Sequence, residues 1–307
     1  MVGVIKEMDE AWKKVYVYGK EYEELLKIYI AEKIASGNTL IPSDFTQIDI
    51  IRPTRNDKIG EFLRKYNFIE PINILDMGCG LGGTSRYLAS LGHTVTACDI
   101  LPQFIELGSQ INSLVNLSDK ISMLNKGIYD AELDPSNFEI VFTLGVLLNI
   151  QGQEVISKLS SFVHPGRILY IEDYYLEKEG ELDDREKRAL NGFHTVSFRK
   201  KSEFIDQFKF AGLEVVEVID MSNTCSEFAW NRAERILKGV KEGKSILEDE
   251  VITYGESCPQ LLAHLEHFTE SELVNQFPNV CERIGVDKVY SADKLLKWVG
   301  WVLRKSS

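Results

Sequence analysis

The chain has 307 residues, with 35 Lys+Arg against 47 Asp+Glu, a formal net charge of −12, and 44% hydrophobic residues. That size and apolar content support a full core in one large domain, or one domain with a cap. The acidic balance disfavours nucleic acid, whose binding rests on Lys and Arg against phosphate; it is compatible with a neutral or cationic small substrate and equally with plain solubility.

Five cysteines (Cys79, Cys98, Cys225, Cys258 and Cys281) are odd in number and scattered, with no C-x-x-C pair. Neither a zinc site nor a disulfide framework is expected, so no metal is assigned and the cytoplasm is the expected compartment. Residues 1–14 are mixed polar and lack an apolar leader core. The longest apolar run, residues 138–150, contains Glu139 and is too short for a bilayer, so no integral membrane association is expected.

Residues 7–36 read as mostly helical, with Leu25, Leu26, Tyr29 and Ile30 near helical spacing and Gly37-Asn38 as the stop. Residues 57–66 form a further helix. Strands and helices then alternate: strand 72–76, helix 84–90, strand 94–99, helix 102–113, strand 121–125, strand 139–144, helix 154–162, strand 167–172, helix 202–210 and strand 213–219. Such alternation predicts an α/β fold with a mostly parallel sheet covered on both faces. Residues 221–292 read as an acidic, helical insertion, and residues 296–305 as a last strand.

The most informative run is Leu75-Asp76-Met77-Gly78-Cys79-Gly80-Leu81-Gly82-Gly83, an apolar strand that ends in an acid and opens through glycines into a helix. Glycine permits the sharp turn and close ligand approach, and the helix start offers N–H donors and a positive dipole end. Gly78, Gly80 and Gly83 also satisfy G-x-G-x-x-G, with Asp99 about 20 residues on, so the spacing fits NAD. Asp76 before the first glycine suits a cationic cofactor better than a pyrophosphate. The run also brings no cation for phosphate except Arg86.

On these residues, extended through Ser85-Arg86-Tyr87-Leu88-Ala89, the chain resembles the class I S-adenosylmethionine-dependent methyltransferases. It is similar to the sarcosine/dimethylglycine, phosphoethanolamine and tocopherol methyltransferase group. The resemblance implies a Rossmann-like seven-stranded sheet with an antiparallel last strand and S-adenosyl-L-methionine as cofactor. It divides the chain into a helical N-terminal arm or lid (1–45), the cofactor-binding core (46–220), a helical substrate cap between strands 6 and 7 (221–292) and the final strand (293–307).

Ligands of open α/β sheets bind beyond the carboxyl ends of the strands. That rule nominates Asp76 and the backbone of Gly78, Cys79, Gly80 and Gly82 for the amino-acid part of the cofactor. It gives Asp99 the ribose hydroxyls and Ile100 the adenine face. The strand-end rule sets Leu144-Gly145-Val146 beside the methionine part; the resemblance adds Ile128, or second to it Asp130, at the adenine edge, and Arg55 against the carboxylate. For chemistry it offers Asp173, Tyr18 and His194, with an amine nitrogen favoured as acceptor over oxygen or carbon. Leu147-Leu148-Asn149 stands where many relatives carry histidines. A small-molecule substrate is expected, and the chain is compatible with a homodimer. Two rivals remain open: an NAD-dependent oxidoreductase, and a cofactor-binding partner subunit that has lost catalysis.

Overall fold

The computed structural model describes residues 19–49, 56–150, 152–190, 198–228, 269–276, 278, 281–282, 285–286 and 295–306. Seven strands form one sheet: β1 (Asn73–Met77), β2 (Thr94–Asp99), β3 (Ile121–Asn125), β4 (Ile140–Leu144), β5 (Ile168–Leu176), β6 (Leu213–Asp220) and β7 (Leu296–Lys305). Their spatial order is β3-β2-β1-β4-β5-β7-β6. The pairs β1/β2, β1/β4, β2/β3 and β4/β5 are parallel. β7 runs the other way: Gly166 N–H donates to Lys305 O, while Glu177 N–H donates to Leu295 O. This is the mostly parallel Rossmann-like sheet with a reversed last strand that the sequence implies.

The described helices are α1 (Gly19–Ala35), α2 (Thr46–Asp49), α3 (Asn56–Lys65), α4 (Gly83–Ser90), α5 (Pro102–Leu114), α6 (Glu154–Ser161), α7 (Asp184–Leu190), α8 (Lys201–Phe210) and α9 (Glu270–Gln276). Most boundaries match the sequence reading to within one residue. β5 is the exception, running to Leu176 rather than stopping at Glu172. Residues 173–176 are all buried, and Leu176 N–H donates to Arg199 O, so burial and a new backbone partner carry the strand onward.

The chain divides into two compact units: Met1–Asp173 with Ile205–Ile219 and Gly300–Ser307, and Tyr174–Phe204 with Asp220–Val299. In the first unit, one sheet face is closed by α3 and α4. α3 places Ile59, Phe62 and Leu63 at helical spacing on one buried stripe, against Ile74, Val95, Ile140, Phe142 and Tyr170. Phe62 meets Tyr170 at 4.6 Å between ring centroids and Phe142 edge-on at 5.8 Å. Burying Phe62 contributes roughly 2–3 kcal/mol. A second cluster joins Leu26 and Ile30 of α1 to Leu81 of the glycine turn and to Phe104, Leu107 and Ile111 of α5. The arm therefore packs directly on the turn that follows β1. In the second unit, Tyr174 stacks edge-on against Trp298 at 4.4 Å, and Lys178 pairs with the buried Glu186 at 2.6 Å.

Candidate functional site

β1 lies between β2 and β4, so the strand order reverses at its carboxyl end, where open α/β sheets take their ligands. The glycine turn begins there. Gly78, Gly80 and Gly82 adopt φ of 84°, 55° and 83°, which only glycine accommodates without strain. Gly82 N–H closes the turn on Cys79 O at 2.9 Å. The first helical bond of α4 runs from Arg86 N–H to Gly82 O at 2.8 Å. The N–H groups of residues 83–85 precede that first bond and lie at the positive end of the α4 dipole.

Asp99 ends β2 beside this turn. Its Oδ2 accepts from Gly80 N–H at 2.8 Å and its Oδ1 from Leu101 N–H at 3.0 Å. Burial pushes its carboxyl above the usual range, against the pull of the backbone donors at Leu101, Gly80 and Ile100. Each carboxylate oxygen carries a second lone pair beyond these bonds. Asn125, at the end of β3, fixes the neighbouring backbone: its Nδ2 donates to Asp99 O and Ile100 O, both at 3.0 Å. Ile100 and Asp130 both approach Gly127, each with an atom 3.3 Å from where a Cβ on that glycine would lie. Ile128 is buried next to them, and Asp130 is exposed. Leu144 closes β4, paired with Glu172 and packed into the main core.

Several expectations change. The N–H groups of Gly78 and Cys79 are taken up within the sheet: both donate to Cys98 O, at 2.8 and 3.0 Å, extending the β1/β2 ladder. The Cys79 thiol is pushed well above its usual value by burial, then by Asp99 and Asp76, so it stays protonated. Asp76 is buried, and its Oδ2 accepts from the Ser85 hydroxyl at 2.6 Å. Arg86 points away from the turn's open side. It is fully buried, donating to Leu81 O (2.7 Å), Asn112 Oδ1 (2.8 Å) and Gly108 O (3.3 Å). Asp173 is buried, and its Oδ2 accepts from Leu147 N–H (2.7 Å) and Leu148 N–H (3.2 Å). Tyr18, Arg55 and His194 lie outside the described residues.

Sequence reasoning missed Ser85 and Asn125. Asn125 was findable, as a polar residue at a strand's carboxyl end; Ser85 is defined by its contact with Asp76 across the turn.

Residues 74–166 match the family described as "Methyltransferase domain". The chain is 31% identical over 125 residues to the mitochondrial ubiquinone biosynthesis O-methyltransferase of Schizosaccharomyces pombe, covering 40% of this chain and 45% of that protein. It is 23% identical over 135 residues to a Caenorhabditis elegans sterol 4-C-methyltransferase, covering 44% of this chain and 40% of that one. The chain thus spans less than half the length of these curated relatives. Among solved structures, it resembles Haemonchus contortus phosphoethanolamine N-methyltransferase 2 with a TM-score of 0.62 and 18% identity, over 84% of this chain and 55% of that one. Residues 74–166 thus match a methyltransferase domain model, and the sheet that carries them has the fold of the phosphoethanolamine N-methyltransferase it resembles.

Proposed function

We propose that this chain is an S-adenosylmethionine-dependent methyltransferase acting on a small molecule, with an amine nitrogen as the first reading of the acceptor. One observation carries the cofactor assignment. Asp99 holds the glycine turn through Gly80 while keeping lone pairs for a diol, at the point where strand order reverses. The residues fit the group. Beyond its chain neighbours, no atom of the described residues lies within 4 Å of where a Cβ on Gly80 would be, so the turn is open there. With Arg86 turned inward, the turn loses the cation its sequence brought for a pyrophosphate, which weakens the NAD reading.

In this reading Asp99 accepts the ribose hydroxyls. Ile100 and Ile128 border the adenine, with Asp130 at its edge. Asp76 and the turn around Gly78, Gly80 and Gly82 face the amino-acid part, Leu144 borders it, and Arg55 meets its carboxylate. The bound cofactor supplies an electrophilic methyl group and its own leaving group. The protein aligns the acceptor, keeps water out and removes the proton that masks an amine lone pair. Tyr18 and His194 are assigned to that proton. The 1–45 arm serves as a lid and the 221–292 insertion as the substrate-selecting cap. This rests on chain order, because the insertion leaves the sheet after the carboxyl end of β6. The scattered cysteines support a reducing compartment.

Oxygen or carbon is the second reading of the acceptor, supported by sequence relatives named for O- and C-methylation. The test is calorimetric titration of S-adenosylhomocysteine into the wild type and Asp99→Ala, followed by labelled-methyl transfer to amine, phenol and sterol panels. Micromolar binding that Asp99→Ala abolishes, then labelled amines, supports the proposal. Labelled phenols or sterols move the acceptor to the second reading. A wild type that binds no S-adenosylhomocysteine overturns the proposal.

A further inference from the structure

We infer that Asp173 is a positioning residue. It clamps the turn after β4 against the glycine turn and is not the proton acceptor for the substrate; this rests on the reading of the site given above.

β4 and β5 pair in parallel as far as Leu144 and Glu172, and Gly145 N–H donates to Glu172 O at 2.7 Å as the last rung. Gly145 then takes φ of 69° and turns the chain out of the sheet. A short 3-10 helix follows, Leu147–Asn149, with Val146 at its N-cap. Such a helix starts with N–H groups that have no partner within it, and a good N-cap supplies an oxygen for them. Valine has none. The oxygen comes instead from the next strand, where Oδ2 of Asp173 accepts from both Leu147 N–H and Leu148 N–H. Within the turn, Asn149 N–H donates to Val146 O at 3.0 Å, Ile150 N–H to Leu147 O at 3.1 Å, and Asn149 Nδ2 to Gly145 O at 3.3 Å.

The capped turn has a consequence for the cofactor side. Val146 lies on Gly78. A Cβ on that glycine would fall 2.3 Å from Val146 Cγ2 and 3.1 Å from Cγ1. Gly78 is the first residue of the glycine turn, at φ of 84°. So the carboxylate fixes the turn, the turn fixes Val146, and Val146 limits how far Gly78 can shift. A buried carboxylate whose oxygen is committed to two backbone donors sets geometry. It is poorly suited to collecting a proton from an exchanging substrate.

Three variants and two readouts test this: Asp173→Ala, Asp173→Asn and Val146→Ala, with calorimetric affinity for S-adenosylhomocysteine and hydrogen exchange at the amides of residues 147 and 148. An asparagine oxygen still accepts both N–H groups. Asp173→Asn should therefore keep the amides protected and hold affinity within about threefold. Asp173→Ala should deprotect both amides and weaken affinity about tenfold, the scale of a lost charge-assisted bond. Val146→Ala should weaken affinity and leave the amides protected, and it carries the test if Asp173→Ala does not fold. A base would leave affinity and exchange at wild-type levels in all three variants, and that result overturns the inference. A wild type that binds no S-adenosylhomocysteine counts against the function reading instead. In that case the exchange arm still decides whether Asp173 caps the turn.

Discussion

The guanidinium of Arg86 donates through Nη2 to the carbonyl oxygen of Leu81 at 2.7 Å and so ties the glycine turn to the interior. The same side chain reaches Asn112 and Gly108 on α5 through Nη1. A fully buried cation is costly unless its donors are satisfied, and here planar donors meet fixed oxygens on two elements at once. Because Leu81 also belongs to the cluster under α1, one residue couples the turn to both α5 and the N-terminal arm.

Replacing Arg86 by methionine should cost about 2–4 kcal/mol of stability, since buried oxygens lose their donors while the stem volume is kept. Arg86→Lys should recover only part of this, because one ammonium cannot reproduce the fork. Urea unfolding measures the cost. Both variants should also bind S-adenosylhomocysteine more weakly, as the turn loses its anchor.

Gly108 lies inside α5, where alanine normally adds helix stability. A Cβ there would sit 2.7 Å from Leu81 O and 2.6 Å from Met123 Cε. The methionine end can move; the carbonyl is held by Arg86. Gly108→Ala should therefore destabilise by about 1–3 kcal/mol despite the better propensity. A rise in melting temperature would show that the turn yields instead.

Asp99 sets a stability–function conflict. Its carboxyl is raised above 3.8 by burial, so the folded state holds the proton more tightly than the unfolded chain. The sign follows from linkage: stability falls as pH rises through that window, and the deficit persists at neutral pH. Asp99→Asn should remove this pH dependence of stability and weaken S-adenosylhomocysteine binding, while setting its NH2 against one of the Gly80 and Leu101 N–H groups. In the wild type, binding should weaken on acidification at a higher pH than an ordinary carboxylate would give. Calorimetry and denaturation, each across pH 4 to 8, check both.

His93 gives the opposite dependence. It is buried, its Nδ1 accepts from Ile72 N–H at 3.3 Å, and desolvation lowers its pKa below 6.5. The unfolded chain then takes up the proton first, so stability is full above about 6.5 and is lost as pH falls below it. His93→Gln should flatten the stability profile between pH 7.5 and 5.5. An unchanged slope would assign the acid sensitivity to other groups.

The element order was legible in the sequence because it depends on local pattern. Period-2 and continuous apolar runs marked β1 to β4, and β2, β3 and β7 appear with the boundaries read from the sequence. The glycine turn and Asp99 were legible for a related reason: a strand's end, a required positive φ and an acid at the next strand's end are all written in short segments. The extension of β5 to Leu176 was not, since its last residues pair with Arg199, which only the folded chain brings alongside.

What the sequence determined by itself was the α/β sheet, the turn and the residues at the strand ends. What only the tertiary structure decided was which polar group each of them spends on the protein. Arg86 reads as a cation near a phosphate loop until Asn112, 26 residues away, meets it inside. Asp173 reads as a base until the N–H of Leu147, also 26 residues away, claims its oxygen. Gly78 and Cys79 read as ligand donors until Cys98 O takes both. The physical reason is common to all three. Backbone conformation follows from neighbours in sequence, but a buried hydrogen bond goes to whichever partner packing brings within about 3 Å.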